Sequence, residues 1–166
     1  YVRKLCINYR NKFGGKLKWG LSSHNYVECG KITGQTLDGR EKGAPLAVHI
    51  SASAGVPYTD LVEFASSLNY DGVASNGNVV DFFVQRKLIC DNTDKFLAFI
   101  KTSISLGFFQ MQMNIVSSEQ LKEAKAHPER FPDLIVRVWG FSAYFIELPE
   151  EYQDMLIQRA LDSEKS

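Results

Sequence analysis

Residues 134–145, Leu-Ile-Val-Arg-Val-Trp-Gly-Phe-Ser-Ala-Tyr-Phe, constrain this chain more than any other stretch. Leu134 to Val138 is an apolar run, rich in β-branched side chains and interrupted once by Arg137. That is the composition of a buried strand. Gly140 then breaks the pattern. A lone glycine inside a strand run marks a bulge, a tight turn or a close backbone approach. Trp139 and Phe141, the large rings on either side, read as core packing on composition alone.

The remainder predicts a mixed α/β chain. Residues 1–24 form a basic segment: Arg3, Lys4, Arg10, Lys12, Lys16 and Lys18 occur with no acid before residue 20. It reads as a nucleic-acid patch, a solvated helix face or an anchor to a neighbouring segment. Across the whole sequence Lys+Arg and Asp+Glu both total 19, so no global basic field points to nucleic acid. Residues 25–55 read as loop-rich with short strands. The Gly30–Arg40 stretch has three glycines and an Asp38-Gly39 turn signal, but lacks the Gly-Lys-Ser/Thr of a phosphate loop. His49 reads as structural.

Pro57 to Asn69 predicts a helix with Leu61, Phe64, Ala65 and Leu68 on one face and Thr59 or Asp60 capping its start. Asp71-Gly72 to Asn76-Gly77 is turn chemistry, and Val79 to Val84 a short apolar strand. Asp91 or Asn92 opens a helix aligning Phe96, Ile100 and Ile104, with Gly107 as its C-terminal cap. Phe109 to Val116 alternates: Phe109, Met111, Met113 and Ile115 on one face, Gln110, Gln112 and Asn114 on the other. The amides of such a strand face solvent, or the interior of a closed barrel. Ser117 and Gln120 have capping-box spacing, with Leu121 and Ala124 facing inward and His127-Pro128 ending that helix. Pro149 starts a last helix with Tyr152, Leu156 and Ala160 as its buried stripe, and the polar tail from Asp162 to Ser166 is expected to fray.

No apolar run approaches the roughly 18 to 20 residues of a membrane span. Cys6, Cys29 and Cys90 fit neither a disulfide framework nor a metal site and suit a reducing cytoplasm. The chain opens at Tyr1 without methionine, which reads as a piece of something longer.

Arg137-Val138-Trp139-Gly140-Phe141-Ser142-Ala143-Tyr144-Phe145 resembles the radical-bearing segment of glycyl radical enzymes. The Gly30–Arg40 loop, followed by Gly43-Ala44-Pro45-Leu46 and Ser51-Ala52-Ser53-Ala54-Gly55, is similar to a second signature of the same enzymes, in the right order. Gln112-Met113-Asn114 matches a Gln-x-Asn pattern of theirs, and Glu119 to Asp133 resembles their approach to the radical loop. Many members carry Gly-Gly where this chain has Gly107-Phe108, so no pocket shape carries over.

The resemblance implies residues 25–166 as the C-terminal glycine radical domain of a ten-stranded α/β barrel, with Gly140 on a loop at the barrel centre. It implies a backbone radical on Gly140, flanked by Arg137, Val138, Trp139, Phe141 and Ser142, with Gln110, Gln112 and Asn114 toward the interior. A carbon-centred radical delocalises onto both flanking amides if its centre is planar, and glycine has no side chain to oppose that. The radical takes hydrogen from a cysteine on a separate loop, and the thiyl attacks the substrate. No cysteine here matches that loop, so this chain alone is expected to be inactive. A separate activating enzyme, with S-adenosylmethionine and an iron–sulfur cluster, installs the radical. Oxygen destroys it by cutting the chain at the glycine, which implies an anaerobic cytoplasm. The parent is expected to be a homo-oligomer, without nucleic acid or membrane partners. Trp139, Phe141 and Leu148-Pro149-Glu150-Glu151-Tyr152 look most like the arylacetate decarboxylase branch, the 4-hydroxyphenylacetate type. Another radical lyase or dehydratase, a formate acetyltransferase, and a free-standing spare part that repairs an oxygen-cut enzyme are the alternatives.

Overall fold

A computed structural model describes residues 2–18, 25–52, 57–67, 79–107, 110–138 and 140–165. Trp139 lies outside them, as do the expected turn at 71–77, Leu68, Phe108, Phe109 and residues 53–55 of the second signature.

Three parallel strands carry the architecture: β1 (Ile50–Ser51), β2 (Val79–Phe83) and β3 (Gln110–Asn114), in the spatial order β1-β2-β3. Parallel neighbours need crossovers, and helices supply them. Helix α1 (Val2–Asn8) and helix α2 (Tyr26–Ile32) precede the sheet. Helix α3 (Tyr58–Ser67) follows β1, and α4 (Arg86–Asp91) and α5 (Thr93–Ser105) follow β2. After β3 come α6 (Ser118–Ala126), an antiparallel hairpin of β4 (Ile135–Arg137) and β5 (Ser142–Tyr144), and α7 (Glu150–Ser163).

Each side of the sheet has its own core. Val80, Phe82 and Val84 point toward Leu61, Val62 and Ala65 of α3, with Phe96 and Phe99 of α5 and Met111 and Met113 of β3 packed alongside. Phe83 points the other way, into a cluster with Tyr26, Val48, Leu121, Val136, Phe145 and Leu156. Period-2 alternation thus sends the apolar row of β3 to the helices, and Gln112 and Asn114, both buried, to the hairpin side. Gln112 and Asn114 are more buried than Met111 and Met113, the reverse of a half-solvated strand.

Several local expectations need correction. Residues 26–32 form a helix, not loop, and α4 was not foreseen. The buried face of α3 is Leu61, Val62 and Ala65, whereas Phe64 is exposed; Thr59 and Asp60 lie inside its first turn. On α5, Asn92 occupies the cap position, but Ile104 is exposed and Phe99 and Ser103 face the core. Packing chose a face one residue round from the one that sequence spacing suggested. The tail is tied down: Glu164 accepts hydrogen bonds from Ser118 N (2.8 Å) and Ser118 Oγ (2.7 Å), placing a carboxylate at the N-terminus of α6. Other expectations hold. Ser117 Oγ accepts from Gln120 N at 3.1 Å, Gly107 has φ +86°, and Tyr152, Leu156 and Ala160 are buried. In the basic segment Lys4, Arg10, Lys12, Lys16 and Lys18 are all exposed, which does not choose between a solvated face and an anchor to a neighbouring segment.

Tyr26 and Tyr152 join α2 to α7 through an edge-on ring pair, with centroids 5.7 Å apart. Burial pushes the Tyr26 phenol well above its ordinary 10.0, with the Arg159 charge partly opposing the rise. Burial raises Tyr152 as well. An unfolded tyrosine releases its proton near pH 10.0, whereas folded Tyr26 holds it to higher pH. Unfolding above that pH is therefore coupled to proton loss, so stability is intact below it and falls as pH rises beyond it. The urea midpoint should be steady to about pH 9.5 and then decline, with a slope of at most about 1.4 kcal/mol per pH unit from one such group. Tyr26→Phe should flatten most of that decline.

Candidate functional site

The site is the turn between β4 and β5. Arg137 pairs with Ser142, and Val138 N donates to Phe141 O at 3.0 Å, so the chain reverses between Val138 and Phe141. Gly140 has φ +98°, a conformation that favours glycine. A Cβ built on it would meet nothing within 4 Å. The glycine is therefore required by backbone conformation, not by crowding, and it stands exposed at the tip.

Both limbs of the hairpin are anchored. Val136 and Val138 are buried in the hairpin-side core. Phe145, which is fully buried, donates its N–H to Leu134 O at 2.8 Å and so closes the base. The limb entering the turn is also gripped from the sheet. Asn114 Oδ1 accepts from Arg137 N at 2.8 Å, and Asn114 Nδ2 donates to Arg137 O at 2.9 Å. Gln112 Nε2 donates to Val138 O at 3.3 Å and to Asp81 Oδ1 at 3.0 Å. Asp81 Oδ2 lies 2.7 Å from Arg159 Nη1 of α7, and the guanidinium sits over the Phe83 ring, 4.8 Å from its centroid. The Asp81 side chain is wholly buried. Such a charge is tolerated only when paired and hydrogen-bonded.

The structure brings Gly140, Arg137, Val138, Gln112 and Asn114 together. Arg137 Nη1 reaches across to Ser142 Oγ at 3.2 Å. Ser142 and Phe141 are exposed, Phe141 by 42%. Gln110 is exposed at the start of β3, away from this set. Sequence reasoning missed Asp81 and Arg159. The available signal was an acid in the middle of the apolar strand Val79–Val84, which demands a partner. Cys6, Cys29 and Cys90 sit on α1, α2 and α4, outside the hairpin and its grip. His49, just before β1, is half-buried with φ +55°. Among the described residues no cluster of His, Cys, Asp and Glu could hold a metal ion, and no helix is long and apolar enough to cross a membrane.

The chain is 28% identical over 169 residues to an isethionate sulfite-lyase of Bilophila wadsworthia, covering 94% of this chain and 20% of that protein. It is 35% identical over 143 residues to an indoleacetate decarboxylase of Tractidigestivibacter scatoligenes, covering 84% of this chain and 16% of that protein. The glycerol-bound B12-independent glycerol dehydratase of Clostridium butyricum superposes with a TM-score of 0.82 at 32% identity, over 95% of this chain and 21% of that one. The chain thus spans about a fifth of the length of the relatives it matches. The family described as Glycine radical matches residues 37–146, a span that holds the second signature from Leu37 onward, β3 and the hairpin with Gly140. On that match the chain belongs to the glycine radical family, whose radical is carried by the protein itself.

Proposed function

We propose that this chain, with residues 25–166 as its glycine radical domain, is the radical-bearing part of a longer glycyl radical lyase, and that Gly140 carries the radical. The observation that supports this best is the presentation of Gly140. It sits at the tip of a hairpin, with no Cβ, at φ +98°, while the strands on both sides are fixed by core packing and buried amides. Such a device holds one Cα–H bond at a set position and leaves it open to approach.

In this reading a separate activating enzyme, which uses S-adenosylmethionine and an iron–sulfur cluster, removes one hydrogen atom from the Gly140 Cα. The Gly140 radical then takes a hydrogen atom from a cysteine S–H outside this chain, which restores the glycine and leaves a thiyl to start the substrate's reaction. This chain contributes position, and the remainder of the parent would exclude water from the exposed Gly140. The whole enzyme works anaerobically.

For the parent's substrate we favour an arylacetate, from which loss of carbon dioxide gives a methylarene. Trp139 and Phe141 beside the glycine support this, as does the 35% identity to an indoleacetate decarboxylase. The sulfite-lyase and dehydratase relatives define the competing outcomes. The anaerobically activated full-length protein should release carbon dioxide and a methylarene from 4-hydroxyphenylacetate or indoleacetate. Turnover of a diol or a hydroxyalkyl sulfonate with no arylacetate turnover would overturn the substrate class and leave the radical assignment standing.

A further inference from the structure

We propose that Asp81 is a positioning residue for the glycine hairpin, acting through Gln112, which it locks with its two N–H donors turned toward Val138. The inference rests on Gly140 being the working end of that hairpin.

The Gln112 side chain has two donors on one end and an acceptor on the other. Its nitrogen lies 3.0 Å from Asp81 Oδ1 and 3.3 Å from Val138 O. Both partners accept only, so the amide orientation is decided by chemistry. Asp81 and Gln112 are direct neighbours in the β2–β3 register, with side chains on the same face of the sheet. Gln112 Oε1 is buried and has no hydrogen-bond partner among the described residues. A buried orphan acceptor is unfavourable, so the orientation is held against a cost and Asp81 is what holds it. Arg159 in turn fixes the carboxylate by its other oxygen. Turning the amide over would aim Oε1 at the Val138 carbonyl, oxygen against oxygen, and release the peptide that leads into 139–140. Asn114 already fixes the Arg137 peptide by both of its groups. Among the described residues, Gln112 therefore sets the last gripped peptide before the glycine, and Asp81 sets Gln112.

In the full-length protein, Asp81→Asn keeps the side-chain shape but allows the Gln112 amide to turn. Before activation, amide hydrogen exchange at Val138 and Phe141 should quicken about tenfold, the loss expected for one net hydrogen bond. Exchange in α5 and α6 should stay unchanged. Gln112→Leu, which leaves the Arg159–Asp81 pair intact, should loosen the same amides, and this covers the case in which Asp81→Asn does not fold. After activation, the glycyl doublet in Asp81→Asn should broaden, or change its Cα proton splitting, as the hairpin samples more than one geometry. Hairpin exchange within about twofold of wild type in Gln112→Leu would overturn the proposal. So would equal acceleration in α5, α6 and the hairpin, which a purely structural role would give. The exchange readout needs no radical. A wild-type protein that forms no radical on activation would sink the assignment to Gly140, while exchange would still decide the role of Asp81.

Discussion

Replacing Gly140 with alanine in the full-length protein should abolish the glycyl radical and reduce turnover to background, while leaving the fold in place. The hydrogen lost from glycine leaves a centre that must flatten to share its spin with both adjacent amides, and a side chain opposes that flattening. The structure makes this a clean test, because two other causes of failure are small. A Cβ at position 140 meets nothing within 4 Å, so alanine does not clash. Its penalty is confined to holding φ near +98°, a strain of about 1–2 kcal/mol for an L-residue. The hairpin base, closed by Phe145 N to Leu134 O, does not depend on the turn residue. Spin quantitation after anaerobic activation, beside a thermal melt of the same sample, decides the matter. A folded variant with a full glycyl-type doublet would show that the radical resides elsewhere.

Gly30→Ala should be the most damaging small substitution for stability, costing about 1–3 kcal/mol or more by overpacking. Helix propensity argues the opposite, since alanine in a helix interior is favoured over glycine by about 1 kcal/mol. The packing decides the sign. A Cβ on Gly30 would stand 2.3 Å from Ala44 O and 2.8 Å from Pro45 Cα. Both are backbone atoms and cannot rotate aside as a side chain would. The same segment is tied to α2 by Leu46 N donating to Tyr26 O at 3.0 Å. Any retreat of residues 44–46 therefore pulls on Tyr26 and Val27, both in the hairpin-side core. Chemical denaturation should show a lower midpoint with an unchanged slope. A midpoint at or above wild type would mean that the close approach relaxes at little cost.

These two glycines also show what was legible in the sequence. The strand running into Gly140 was visible because its signal is local: β-branched residues in a row, then one residue that permits positive φ. The Ser117 cap, the Gly107 turn and the stripe on α7 were readable for the same reason. Gly30 was not, because its neighbours Gly34 and Gly39 make the stretch look like loop. Helix α2 survives on tertiary contact with Ala44 and Pro45, which composition does not record. Asp81 and Arg159 stand 78 residues apart, and only the parallel register and the return of α7 bring them together. The alternation along β3 marks Gln112 and Asn114 as a pair, but their grip on the Arg137 and Val138 peptides depends on where the hairpin packs. The resemblance to the glycine radical family lies in local signatures, which depend on residue order and not on tertiary contacts.

Under the proposed function, the anchoring of the hairpin governs how the molecule fails. A break at Gly140 would sever the chain only at the turn between β4 and β5. The upstream end would stay pinned by Asn114 and Gln112. The downstream end would stay sewn in by the β4–β5 ladder, by the buried Phe145, Tyr152 and Leu156, and by Arg159 on Asp81. The damaged protein would therefore be a nicked duplex of two interlocked pieces, unchanged in native mass and separable only under denaturing conditions. Renewal of the broken end by exchange would then be limited by how often α7 and the hairpin peel away, and not by how fast a replacement arrives.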